Sequence, residues 1–251
     1  MASLFQRFGP REAEPTLPPE LRAAAADYRL LLERGYPQRA LLKLVGDRYR
    51  LSAEHRTILA RGMCTAREAA ARRRKLTRSV HGVPVRVDCL NVLLTIRSYL
   101  HGRRLFIGVD GFLRDAAEVH GGSVGAGELD RPIELLLDFA AQGGAAELVF
   151  YVDAPVSHSG RTAASVREAL GRRGLAGSAL VTPSPDRLLK EARDCVIATS
   201  DSAVIDAARV RVADIARLAL ESSFRPSFLR LDRLRKGQAG RRERPTVYSQ
   251  Q

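Results

Sequence analysis

From Val83 onward the sequence predicts an α/β domain built on a parallel sheet, preceded by a small all-helical domain. Three observations carry this. After Val83, apolar runs of strand length alternate with segments of helical period, as a parallel sheet with crossover helices requires. Before Val83, apolar residues recur at helical spacing, in segments opened by Ser or Thr and broken by Gly or Pro. Four of the later apolar runs also close on an aspartate: Asp88, Asp110, Asp153 and Asp201.

Residues 1–19 are rich in proline and glutamate and read as a flexible lead. Residues 20–80 read as the helical domain. Its first helix, "LRAAAADYRLLL", stops at "RGYP", and "QRALLKLVGDRY" forms a second with apolar Leu41, Leu42, Leu44 and Val45. Ser52 caps a third helix over 54–60, and Thr65 caps a fourth, "AREAAARRRKL". The helices flanking "VGDRYRLS" fit a helix-turn-helix or an ordinary bundle. The run Arg72, Arg73, Arg74, Lys75 is either a solvated helix end or a phosphate-contacting patch.

Residues 83–217 read as the α/β domain. A strand over 85–88 leads into a helix over 91–101, closed by Gly102. "RLFIGVD" is read as the next strand, ending at Asp110. The glycine-rich "HGGSVGAGE" precedes the helix "PIELLLDFAAQ", and "ELVFYVD" is a strand ending at Asp153. A helix after Gly160 and the strand "SALVT" follow. Ser184 caps the helix "DRLLKEA" with Pro185 in its first turn. "CVIATSD" is a strand ending at Asp201, before the helix "SAVIDAARV". Residues 218–251 read as a basic, largely disordered tail.

The formal charge of +13 is unevenly spread. Residues 1–80 carry 17 Lys/Arg against 8 Asp/Glu, a net of +9. Residues 81–215 carry 15 against 17, a net of −2, and residues 216–251 carry 9 against 3, a net of +6. Basic flanks around a slightly acidic centre suit a polyanion held by the flanks and worked on by the middle. No apolar run approaches the roughly 18–20 residues of a membrane helix, and the N-terminus lacks a secretion-signal core. Cys64, Cys89 and Cys195 form no CxxC or Cys/His pair, which argues against a zinc site or a disulfide framework and for a reducing cytoplasm.

The strand-ending aspartates are the chemical signal. The carboxyl ends of parallel strands line one edge of the sheet, where the binding crevice forms. Four carboxylates there repel one another and raise each other's pKa unless a cation neutralises them. Oxygen-only donors suit Mg²⁺ or Mn²⁺. Asp88, Asp110, Asp153 and Asp201 are therefore the expected catalytic and metal-binding residues, although each alone is also explained as a helix cap. Asp115, Asp186 and Asp206 stand behind them. Asn91 is expected to orient Asp88 or cap its helix. Ser157 and Ser159, with the N–H groups near Gly160, and Ser200 are expected to position substrate.

Other motifs fail. Glu128 stands where a Walker A loop needs lysine, "VSHSG" is not a nucleophile elbow, and "GVDGFLRD" lacks the dehalogenase aspartate at Gly108. His101, His120 and His158 are possible site residues.

The stretches "VDCLNVLL" and "PDRLLKEARDCVIATSD", with Asp153 between them, resemble a PIN-like nuclease domain over residues 83–215. With "RGYPQRALLKLVGDRYRLSAEHR" in front, the chain looks like a two-part prokaryotic family, a helical domain joined to a PIN-like domain. "VDGFLRD" and "YVDAPVSHSG" are not usual motifs of that fold. The resemblance implies metal-dependent hydrolysis of nucleic acid, RNA first, with Asp88 and Asp201 the firmest metal ligands and Asp153 next. The alternatives are a non-cleaving nucleic-acid-binding or scaffold protein with the same fold, and a metal-dependent phosphatase acting on a small substrate.

Overall fold

The protein is described by a computed structural model over residues 15–116 and 127–234. The N-terminal region is helical as expected: α1 (Pro19–Glu33), α2 (Gln38–Arg48), α3 (Ala53–Gly62) and α4 (Ala66–Lys75). Gly35, at φ +83°, makes the left-handed turn that ends α1. Ser52 Oγ accepts the His55 N–H, and Thr65 forms a reciprocal capping box with Glu68, each cap contributing about 1 kcal/mol. Leu21, Ala24 and Tyr28 pack against Leu41, Val45, Ile58 and Leu59. That core does not stop at the helices, since Phe106, Leu229 and Leu231 complete it.

The α/β domain follows as β1 (Leu76–Thr77), β2 (Pro84–Asp88), α5 (Cys89–Leu100), β3 (Leu105–Ile107), β4 (Leu113–Asp115), α6 (Asp130–Gln142), β5 (Glu147–Asp153), α7 (Ser159–Arg172), β6 (Gly177–Thr182), α8 (Pro185–Glu191), β7 (Val196–Ala198), α9 (Ser202–Ala207), β8 (Val212–Ala213), α10 (Ile215–Ser223) and β9 (Leu229–Arg230). Six strands form one sheet in the order β1-β8-β7-β2-β5-β6, every pair parallel. Parallel strands need cover on both faces. Helices α5, α6, α7 and α10 bury one face with Val85, Val87, Phe150 and Ala198; α8 and α9 cover the other with Ile197. The strand alternation that turns Val85 and Val87 to the first face turns Arg86 and Asp88 to the second.

The strand order reverses beside β2. From β2 the chain moves outward through β5 to β6, then returns to the other side of β2 as β7 and continues to β8. The β2/β7 boundary is thus the topological switch point, where the crossover loops part and leave a crevice at the carboxyl ends.

Three expectations are corrected. "RLFIGVD" is not a strand of this sheet. β3 pairs antiparallel with β4 and parallel with β9 in a separate three-stranded sheet, and Val109-Asp110, closed by Gly111, is the tight turn between β3 and β4. Gly111 sits at φ +90°, and Asp110 Oδ1 accepts the Phe112 N–H at 3.3 Å. Second, residues 218–234 are not tail. Helix α10 runs to Ser223, and Phe228, Leu229 and Leu231 are buried; residues 235–251 lie outside the described residues, as do 1–14, His120 and most of the glycine-rich loop. Third, the Arg72–Lys75 run is not wholly a solvated end, since Arg72 is buried and Lys75 half-buried while Arg73 and Arg74 stay exposed.

Arg72 and Lys75 bolt the two regions together. Arg72 donates to both Asp206 oxygens at 2.7 Å, to Asp110 Oδ2 at 3.0 Å and to Ser202 Oγ at 3.2 Å. Arg114 grips Asp110 bidentately at 2.7 Å and also reaches Ser202 Oγ. Lys75 Nζ donates to the Ile205 and Asp206 carbonyls at the end of α9. Burial alone would raise the Asp110 pKa, but the Arg114 and Arg72 guanidiniums outweigh it and hold the carboxyl below its usual range. Asp110→Ala would strand two buried guanidiniums. We expect it to lower the unfolding free energy in urea by about 3–5 kcal/mol, equally with and without Mn²⁺. An unchanged midpoint would refute this role.

Candidate functional site

The switch point holds the best-formed polar cluster on the carboxyl edge. Asp88 ends β2 and is almost fully buried. It directly precedes α5, yet its side chain makes no capping bond, so the helix-cap explanation fails for it. Thr199, just past β7, donates its hydroxyl to Asp88 Oδ2 at 2.7 Å and accepts the Asp201 N–H at 3.1 Å. Asn91 does not orient Asp88 directly, as the sequence suggested. Its Oδ1 accepts the Ser200 N–H at 2.9 Å and the Ser200 hydroxyl at 3.1 Å, so it pins the 199–201 loop against α5. Thr199 and Ser200 are themselves buried, which fixes the loop from below.

Asp201 does two jobs. Its Oδ1 accepts the Ala203 and Val204 N–H groups and caps α9, at 2.7 and 3.0 Å. Its charge also adds to that of Asp153 and Asp186 around Asp88. Burial, against the opposing Thr199 bond and with those three carboxylates, pushes the Asp88 carboxyl up to about 7. Asp153, half-buried at the end of β5, is raised by burial and by Asp186. Register places Asp88 beside Tyr151, so strand alternation puts Asp88 and Asp153 on the same sheet face, the one α8 covers.

The structure therefore regroups the sequence candidates. Asp88, Asp153 and Asp201 come together, and Asp186 joins them from the first turn of α8, where Lys190 contacts it at 3.3 Å. Ser184 precedes α8 but makes no side-chain cap bond. Asp110 leaves the group because two arginines hold it. Asp206 leaves because Arg72 holds it. Asp115 lies in β4, where Ser98 donates to its Oδ2. Ser157 is exposed, and Ser159 Oγ donates to the Ala154 carbonyl at 3.4 Å; neither caps α7, whose N-cap is His158 in a left-handed conformation. His101 is the C-cap of α5.

The expected set of four strand-ending aspartates on one edge thus loses Asp110. Among the described residues, no three His, Cys, Asp or Glu side chains converge closely enough to hold a metal ion. The acids form a looser mouth. Two residues were missed. Thr199 has no signature beyond a hydroxyl at a strand end. Asp214 also ends a strand, β8, but is fully enclosed by the Leu113 and Arg217 N–H groups it accepts, and burial raises it to about 6. A strand-ending aspartate is thus no site by itself; position at the switch point decides.

Fold and site define a helical region joined to an α/β domain that carries an acidic mouth at its switch point. The chain belongs to the family described as "Domain of unknown function (DUF5616)", which matches residues 77–218. Residues 20–75 match "Protein of unknown function (DUF434)", so the two matches meet where α4 passes into β1. Over 204 residues the chain is 30% identical to "Uncharacterized protein MJ0935" of Methanocaldococcus jannaschii, spanning 80% of this chain and 97% of that protein. No solved structure matches the chain. No described helix is long and apolar enough to cross a membrane.

The raised Asp88 carboxyl has a signed consequence. Its native pKa, about 7, exceeds the ordinary 3.8, so the native state keeps a proton that the unfolded chain releases first. The stability this confers is full below about pH 4 and drains as pH rises to about 7, on the order of 4 kcal/mol in all. Asp88→Asn removes that loss. Its stability relative to wild type should rise between pH 4 and pH 8 in urea melts, while Asp214, common to both, cancels. A difference independent of pH would contradict the assignment.

Proposed function

We propose that the protein hydrolyses phosphodiester bonds in nucleic acid, RNA first, with Mg²⁺ or Mn²⁺ at the acidic mouth, as a PIN-like nuclease domain. The observation that carries this reading is Asp88, buried at the switch point with its carboxyl pushed up to about 7, burial first and then the Asp153, Asp186 and Asp201 charges. A hard divalent cation is what such a group lacks. The donors are all oxygen, which suits Mg²⁺ or Mn²⁺, and Mg²⁺ commonly binds through one or two carboxylates and keeps several waters. Asp88 and Asp201 would hold the ion, with Asp153 and Asp186 beside them. Bound there, it would lower the pKa of water and offset charge developing on the phosphoryl oxygens.

The chain's own groups do the rest. Thr199 holds Asp88 in one orientation through its hydroxyl. Asn91 fixes the 199–201 loop, and with it the distance between Asp88 and Asp201.

A second reading, a non-cleaving nucleic-acid-binding protein, is favoured by one observation: no three acids converge among the described residues. Cleavage decides between them. Labelled single-stranded RNA and DNA are incubated with the full chain, with and without Mn²⁺. We expect Mn²⁺-dependent cutting, lost by about 100-fold or more in Asp88→Asn and Asp201→Asn. Asparagine caps helices as well as aspartate, so the second variant tests the charge and not the fold. RNA bound but uncut would sustain the second reading. Activity confined to mononucleotides would point instead to a phosphatase.

A further inference from the structure

The acidic mouth repels a polyanion, so a phosphodiester substrate needs a cation beside it. Some of the cations around the site's loops are committed, although Arg187, beside Asp186 on α8, is exposed. Arg72 and Arg114 are buried against Asp110 and Asp206, and Lys190 contacts Asp186. Arg61, at the C-terminal end of α3, differs. Its side chain is exposed, and its Nη1 donates to one neutral acceptor, the Asp115 carbonyl, at 2.9 Å. Among the described residues it enters no ion pair, which leaves most of its five N–H donors for a ligand.

Its place follows from β4. Asp115 holds Arg61 through its carbonyl, while the adjacent Arg114 reaches Ser202 Oγ at 3.1 Å, and Ser202 directly follows Asp201. Two consecutive residues of one strand thus tie Arg61 to the Asp201 end of the mouth. Partial burial and the Arg114 charge lower the Arg61 pKa against the Asp115 and Asp201 charges, so Arg61 lies within reach of all three groups. The end of α3 is itself fixed. The Val109 N–H donates to the Gly62 carbonyl at 2.8 Å, and a methyl group on Gly62 would collide with Leu231 and Phe106. The guanidinium is consequently carried on a rigid element that belongs to the helical region.

We propose that Arg61 binds a backbone phosphate of the nucleic acid next to the acidic mouth, so that the helical region supplies part of the substrate-binding surface. This rests on the proposed nuclease reading for the identity of the ligand. A guanidinium fork fits a phosphate bidentately, and arginine is less strongly hydrated than lysine. The contact is sequence-independent, and its signature is counterion release.

The test is binding of a short labelled single-stranded RNA to the full chain, with EDTA present to prevent cleavage, at several salt concentrations. For Arg61→Gln we expect weaker binding and a log–log salt slope shallower by about 0.7, the loss of one single-strand phosphate contact. Arg61→Lys should restore the slope, because it keeps the charge. A merely structural Arg61 would lower the melting temperature in both variants and leave the slope alone. An unchanged slope in Arg61→Gln, or no binding of RNA by the wild-type chain, overturns the proposal. The two readings fail separately. A slope that falls in a protein that never cleaves keeps the Arg61 contact and removes the nuclease, whereas cleavage with an unchanged slope does the opposite.

Discussion

The buried pairing of two arginines with Asp110 is the interaction on which the arrangement depends. Arg72 leaves the helical region and is nearly sealed from solvent, and Arg114 and Asp110 are sealed almost completely. Charges taken out of water are costly unless each is matched and its hydrogen bonds are filled. Here Arg72 and Arg114 share the sealed Asp110, Arg72 also reaches out to the exposed Asp206, and Ser202 accepts from both guanidiniums. Helix α9 is held at both ends, by Ser202 and by the Lys75 bonds to its last carbonyls. Asp201 stands one residue before Ser202. The position of the acidic mouth is therefore set in part by a helix of the other region.

This coupling explains why the two regions share structure beyond a linker. β1, immediately after α4, pairs with β8 at the edge of the main sheet, and Arg211 donates to the Lys75 and Leu76 carbonyls there. In the other direction, β3 and β9 of the small sheet deliver Phe106, Leu229 and Leu231 into the helical core. The helical region completes its own core only with residues from the far end of the described chain. Arg61 extends the same logic to the surface: a rigid helix end that packs on the small sheet carries a cation toward the mouth.

Much of this was legible in the sequence, and the failures have physical causes. "ELVFYVD" reads residue for residue as β5, because a strand buried on both faces is apolar almost throughout and a charge must end it. Ser52 and Thr65 read as caps because their local chemistry needs no tertiary partner. Asp110 misread because an apolar run followed by aspartate looks the same in a parallel strand and in a hairpin. The discriminating signal was Asp110-Gly111 with a second apolar run behind it. Arg72 misread because a basic helix end looks alike whether water or Asp206 meets it. Asp186 was undervalued because only the packing of α8 over β2 brings it near Asp88. β9 was lost in its basic surroundings, since two strand residues carry almost no periodicity.

The account turns on Asp88 as a buried carboxyl confined among like charges at the switch point. Carbon-13 carboxyl resonances of labelled aspartate, with Asp88 assigned by its loss in Asp88→Asn, report that titration directly. The account predicts a midpoint near 7 that drops toward the ordinary carboxylate range when Mg²⁺ is added. A midpoint near the ordinary aspartate value of about 3.9, unmoved by Mg²⁺, would contradict it.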